Sequence, residues 1–198
     1  MKLAAIDIGS NSIKLVVVDA AAGDPFAVLE REKEVVRLGQ ETLREGFLSA
    51  EATARAAECV GRFRSTASAR GAGRVVAVAT ASVREAGNAA EFIEEVERRT
   101  GVRVEVLSGV EEARLIGLAA ARGCGSPAAP HLNVDIGGGS TEISLVSGGT
   151  PSALVSVKLG AVGLTEKHLT ADPPTPFVVR GVVPWYKPPC GRRYADPL

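Results

Sequence analysis

Two acidic turns in this chain have the residue types needed to hold a metal-bound phosphate. The first is Ala5-Ile6-Asp7-Ile8-Gly9-Ser10-Asn11-Ser12. The second is Asn133-Val134-Asp135-Ile136-Gly137-Gly138-Gly139-Ser140-Thr141-Glu142. Both read as strand, carboxylate, glycine turn, hydroxyl residues, strand. Glycines at 9, 137, 138 and 139 allow close backbone approach, so successive N–H groups can face one anion. Ser10, Ser12, Ser140 and Thr141 add hydroxyl donors beside Asn11. Asp7 and Asp135 suit Mg²⁺ or another divalent cation, held through one or two carboxylates plus waters and substrate phosphates. For a single loop, an Asp that satisfies its own turn amides is an equal alternative. Two matching loops favour the phosphate reading. No Walker loop (G-x-x-x-x-G-K) is present.

Other charged residues are less decisive. Glu111 and Glu112 open a helix, where acidic residues favour the macrodipole whether or not one is a general base. Arg84 follows a strand end, which alone suggests a solvated surface residue. Lys14 and Lys158 lie on strands and His131 and His168 in polar surroundings, all without a specific signal.

The elements that position these residues read as follows. Leu3–Ile8, Ile13–Asp19 and 27–38 form a meander of strands rather than a βαβ unit. Ser49 caps a helix whose inner face carries Ala52, Ala56, Cys59, Val60, Phe63 and Ala67. Gly71 to Gly73 end it. Arg74–Ala79 is a buried strand, with Thr80-Ala81-Ser82-Val83-Arg84 at its C-terminal end, where open α/β sheets place ligand groups. Asn88 and Glu91 form a capping-box-like start to a helix closed by Gly101. A strand over 102–107 and a helix over 110–121, capped by Ser108, follow. Residues 123–130 read as a linker. The meander then recurs over 132–136, 142–147 and 153–157, which suggests an internal duplication.

Bulk composition excludes several classes. The 198 residues include 23 basic and 23 acidic ones, so the charge gives no support to a nonspecific nucleic-acid binder. Cys59, Cys124 and Cys190 are far apart, and with two histidines a zinc site is not expected. No apolar run approaches the roughly 20 residues of a membrane span, and Met1-Lys2 does not open a signal peptide. The expectation is a cytoplasmic protein with no membrane partner.

The motifs, in this order, resemble the exopolyphosphatase / guanosine pentaphosphate phosphohydrolase family. The matching segments are Ala4 to Ser12, Thr80 to Arg84, Ser108-Gly109-Val110-Glu111-Glu112-Ala113-Arg114-Leu115-Ile116, and Val134 to Glu142, with Ser156 to Val162 in support. The likeness covers residues 2–176. It implies an α/β, RNase H-like fold of the actin, sugar-kinase and heat-shock-ATPase superfamily, with two such domains facing a cleft. By resemblance Glu112 is the base that activates water, Arg84 is the phosphate clamp, and Asp135 and Glu142 are metal-linked acids. The loops Gly9–Ser12 and Gly137–Thr141 are the two phosphate cradles. The implied substrates are polyphosphate or guanosine pentaphosphate, and the implied full-length form is a homodimer. Two alternatives stay open: a binding module without turnover, and a kinase or actin-like ATPase of the same superfamily. The segment Ser108–Ile116 argues against the second.

The resemblance stops after Pro176. Residues 1–176 hold no Trp or Tyr, whereas the last 22 hold Trp185, Tyr186, Tyr194 and four prolines. The expected organisation is a first domain over 1–122, a linker over 123–130, the truncated start of a second domain over 131–176, and a tail over 177–198 foreign to the fold. A frameshift or truncation explains that change, and such a fragment is expected to be inactive or partly disordered.

Overall fold

An antiparallel hairpin carries the first acidic turn. The computed structural model describes residues 1–21, 26–123 and 129–169. Strand β1 (Lys2–Ile8) pairs with β2 (Ser12–Asp19) so that Ile6 faces Leu15, Asp7 faces Lys14 and Ile8 faces Ile13. Period-two alternation sends Ala4, Ile6, Ile8, Ile13, Leu15 and Val17 into the core. Asp7 and Lys14 therefore share the opposite face.

β3 (Ala27–Val35) extends the meander antiparallel to β2. It stops short of the expected 38 for a specific reason. The amides of Val36 and Arg37 both donate to the Asn11 carbonyl, at 3.1 and 2.9 Å, and Arg37 adopts φ 58°. That backbone cannot continue a ladder. A short helix, α1 (Gly39–Glu45), follows instead. The sequence gives no signal for it, because its N-cap residue, Leu38, offers no capping side chain.

Helix α2 (Ala50–Ala69) starts where Ser49 Oγ accepts the Ala52 amide at 3.1 Å. It buries the six residues expected from its spacing. β4 (Arg74–Ala79) then runs parallel to β1, and α3 (Ala81–Arg84) turns off its end. α4 (Ala89–Thr100) buries Phe92 and Val96 and closes at Gly101, φ 65°. The capping box expected at Asn88 does not form. Its side chain instead accepts from the Leu48 amide and donates to the Leu48 carbonyl, both at 2.9 Å, which ties the start of α4 to the segment before α2. β5 (Val104–Val106) is shorter than the alternation suggests and pairs parallel to β4. The sheet order is β3-β2-β1-β4-β5. Its core contains Phe63 and Phe92, each fully buried. Cys59 lies within it, and burial pushes its thiol up to about 12, so it stays protonated and inert. Cys124 and Cys190 lie outside the described residues.

Helix α5 (Gly109–Gly123) leads to a second sheet. Ser108 Oγ accepts the Glu111 amide at 3.1 Å, the expected cap. The second sheet is an antiparallel meander of β6 (His131–Ile136), β7 (Thr141–Ser147) and β8 (Thr150–Val157), with Gly148 and Gly149 at φ 56° and 76° in its tight turn. α6 (Ala161–His168) follows it. α5 packs on β7 and β8, and α6 packs on α1. Leu132, Val134 and Ile136 alternate on the face turned away from Asp135 and are 63, 49 and 70% exposed. The order strand, acidic turn, strand, strand, helix thus occurs twice. Each copy passes from its third strand to its helix through a related tetrapeptide: Val36-Arg37-Leu38-Gly39 in the first, Val157-Lys158-Leu159-Gly160 in the second. The expected linker falls largely on residues 124–128 and the expected tail on 177–198, both outside the described residues.

Candidate active site

The two acidic turns meet across a cleft of about 370 Å³. Each is a tight reversal of the same kind: the Gly9 amide donates to the Ser12 carbonyl at 3.1 Å, and the Gly137 amide to the Ser140 carbonyl at 2.9 Å. Among the described residues, the amides of Ser10, Asn11, Gly138 and Gly139 are not committed to backbone carbonyls. The loops are close enough that a Cβ on Gly139 would lie 2.7 Å from Ser10 Oγ. Thr141 Oγ1 donates to the Leu159 carbonyl at 2.5 Å, which ties the second loop to the segment before α6.

Three further contacts fix the second loop. The amide of Ala161 donates to the Gly137 carbonyl, and the amides of Val162 and Gly163 donate to the Gly138 carbonyl. The first turn of α6 is thereby spent on holding the loop. The approach is possible only because residue 160 is glycine. A Cβ there would overlap the carbonyl carbon and oxygen of Gly138. The first loop is braced in the same manner by the Val36, Arg37 and Gly39 amides, the last on the Ser10 carbonyl at 2.7 Å.

Asp7, Lys14, Glu112, Asp135 and Glu142 line the cleft with the loops. Strand register places most of them. Asp7 opposes Lys14, whose Nζ lies 3.7 Å from Asp7 Oδ2. Asp135 opposes Glu142. Glu142 is buried and accepts from Ser156 Oγ at 2.8 Å. Burial raises the Asp7 carboxyl above the ordinary range, with a smaller contribution from Asp135's charge; Lys14 opposes both.

Helix α5 delivers Glu112 to the cleft, while its neighbour Glu111 forms a paired contact with Arg114 at 2.6 and 2.8 Å away from it. Arg84 comes from α3. Its Nη1 donates to Glu112 Oε2 and to the Leu107 carbonyl, each at 2.9 Å. Both side chains are largely buried, 18 and 13% exposed. Burial raises the Glu112 carboxyl, and the charges of Glu142 and Asp7 add to the shift, while Arg84 works against it. Behind this pair, Glu85 Oε1 lies 3.7 Å from Arg84 Nε, and Glu85 also pairs with Lys158 from the second sheet.

Among the described residues, no three carboxylate, imidazole or thiol side chains form a ready-made metal-ligand group. Asp7, Asp135 and Glu142 are thus not one preformed ligand set. The donors nevertheless fit a hard cation. Two carboxylates reach one cleft closely enough for Asp135's charge to raise Asp7, and an ammonium already sits beside one of them. Mg²⁺ binding through one or two carboxylates, completed by waters and phosphate oxygens, matches that arrangement.

Both acidic loops, Asp7, Asp135, Glu142 and Glu112 therefore line this cleft, whereas Arg84 reaches it through its bond to Glu112 and the Thr141 hydroxyl turns to the Leu159 carbonyl. Sequence reasoning missed Lys14, Ser156 and Gly160. The hairpin geometry around Gly9 could have placed Lys14 opposite Asp7. No local signal marks the other two.

The family model described as the Ppx/GppA phosphatase family matches residues 16–181. Exopolyphosphatase 1 of Mycobacterium leprae is 38% identical over 174 residues, covering 88% of this chain and 51% of that protein. Among solved structures, the Aquifex aeolicus Ppx/GppA family member superposes with TM-score 0.75 at 32% identity, covering 91% of this chain and 58% of that one. An exopolyphosphatase from Cytophaga hutchinsonii gives TM-score 0.79 at 26% identity, covering 89 and 56%. The chain spans about half the length of the curated relatives it matches. The architecture is the expected α/β, RNase H-like, actin-like fold.

Proposed function

Because this chain belongs to the Ppx/GppA phosphatase family, we propose that its cleft releases the terminal phosphate of a polyphosphate chain by activating water. The observation that carries the proposal is the largely buried Arg84–Glu112 pair, whose carboxylate lines the cleft together with both acidic loops.

Glu112 Oε2 accepts a proton from water as the water oxygen attacks the terminal phosphorus. The bridging anhydride bond breaks, and the shortened chain leaves with its negative charge on the former bridging oxygen. Burial of Glu112 raises its basicity towards the operating pH, which suits a general base. Arg84 positions that carboxylate and presents a guanidinium to the transferred phosphoryl oxygens. The free amides of Ser10, Asn11, Gly138 and Gly139, with the hydroxyls of Ser10, Ser12 and Ser140, hold the remaining oxygens; the Thr141 hydroxyl, spent on the Leu159 carbonyl, holds the loop instead. Such positioning and charge stabilisation is most of what phosphoryl transfer needs. Asp7 and Asp135 would hold Mg²⁺, which would neutralise phosphate charge there. Glu142, braced by Ser156, sits behind that site.

Guanosine pentaphosphate ends in the same phosphoanhydride and is the second substrate of this proposal. Residues 1–122 and 131–176 are proposed as a first domain and the opening of a second. The repeated order of strands, acidic turn and helix supports that division. The second reading, a binding module without turnover, is favoured by one observation, that no three metal-ligating side chains form a ready-made group among the described residues. Phosphate release from polyphosphate with Mg²⁺, compared between wild type and Glu112→Gln, tests the main reading. Release that depends on Glu112 supports it; binding without such release supports the module.

A further inference from the structure

The cleft is rich in carboxylates, and the cation in it and the one bonded to its Glu112 are both committed. Lys14 is paired with Asp7, and Arg84 with Glu112. A polyanion longer than its terminal unit needs a cation that is not already neutralised. A second cavity of about 240 Å³ adjoins the cleft and shares Asn11 with it. Arg37 and Gln40 enter that cavity from one side and Thr165 and Glu166 of α6 from the other. Of the cations lining the cleft and this side cavity, Arg37 alone has no ion pair among the described residues.

Two further observations single Arg37 out. It is the non-glycine residue with positive φ among those described, held at 58° by its amide on the Asn11 carbonyl. Such strain persists where surrounding structure imposes it and is concentrated at ligand-binding segments. The internal repeat supplies the contrast. Lys158 occupies the equivalent position in Val157-Lys158-Leu159-Gly160, has no positive φ, and is paired with Glu85. One copy of the tetrapeptide thus spends its cation on the protein, and the other keeps it free beside the cleft.

We propose that Arg37, with Gln40 and Thr165, forms a second phosphate subsite that binds units of a linear polyphosphate behind the one being cleaved. This rests on the polyphosphate reading above. Because Arg37 bonds directly to Asn11, the subsite is coupled to the first phosphate loop. Glu166 faces the same space with one opposing charge, which predicts the sign of its own substitution.

The test is binding of tripolyphosphate and of long-chain polyphosphate, each with Mg²⁺, to the whole chain and its variants. Arg37→Gly removes the cation while suiting the left-handed backbone, so the fold is kept. The expected result is about five- to tenfold weaker long-chain binding with tripolyphosphate unchanged, the scale of one partly exposed charge-assisted contact. Arg37→Lys restores most of the loss, Glu166→Gln strengthens long-chain binding, and the salt dependence of Arg37→Gly is shallower. Equal weakening of both ligands, or no weakening of either, overturns the subsite. Absence of binding by wild type removes the polyphosphate reading itself, and the subsite with it.

Discussion

Gly160→Ala isolates the requirement that joins the repeat to the chemistry. Gly160 has φ −139° and ψ 162°, an extended backbone that any residue adopts, so the demand for glycine is steric alone. The new methyl would overlap the Gly138 carbonyl and lie 2.5 Å from the Gly139 nitrogen. Those are backbone atoms and cannot rotate away as a side chain would. Relief requires the first turn of α6 to back off the loop, which breaks the three amide contacts to Gly137 and Gly138. Overpacking against well-packed atoms costs about 1–3 kcal/mol, and a backbone collision belongs at the upper end. About 3 kcal/mol charged against the loop's binding conformation corresponds to roughly a hundredfold loss of affinity. Calorimetric titration with tripolyphosphate and Mg²⁺ reads this directly. The five-stranded sheet, none of whose atoms is among those the new methyl would meet first, keeps its thermal transition. Gly73→Ala is the control, since no atom lies within 4 Å of its Cβ position and its φ is not positive. Wild-type affinity in Gly160→Ala would refute the idea that α6 positions the second loop.

Other outcomes follow from the same geometry. Glu112 must be ionised to act as base, and its carboxyl lies above the ordinary range; the acid limb of phosphate release should therefore fall at higher pH than an ordinary glutamate would give. Arg84 favours the charged form, so Arg84→Ala should move that limb to higher pH as well as lower the rate; a limb that moves down or stays fixed contradicts the assignment. Glu111→Gln should leave turnover unchanged, because Glu111 is an exposed partner of Arg114 outside the cleft. Phe63→Ala should destabilise the chain by about 3–5 kcal/mol in denaturant unfolding, as removal of a fully buried aromatic does.

How far the molecule is legible in its sequence depends on the range of the interaction involved. Local signals were sufficient for the acidic turns, for the caps at Ser49 and Ser108, and for the buried face of α2. Each depends on residues within a few positions of one another. Lys14 is harder, because its meaning comes from strand register: it is an ordinary strand lysine until the hairpin puts it opposite Asp7. Asn88 misleads for a related reason. Its spacing to Glu91 matches a capping box, but Leu48, forty residues earlier, offers both a donor and an acceptor and wins the side chain. Gly160 and Ser156 gain their roles only when β8 and α6 fold back on the second loop. Helix α1 left no trace because its start is set by Asn11 and Arg37 rather than by a capping residue. The contacts that hold the loops are thus long-range ones that escape sequence reading, whereas the loops themselves are plain in it.

The most direct test of the proposed chemistry is phosphate release from Mg²⁺-polyphosphate by the wild-type chain and by Glu112→Gln, with polyphosphate binding measured on both. The expected result is release by wild type that falls about 10²- to 10⁴-fold in the variant, the usual contribution of a general base, with binding retained. Equal release by the two proteins would contradict the role of Glu112, and binding without release by either would leave a phosphate-binding cleft that does not turn over.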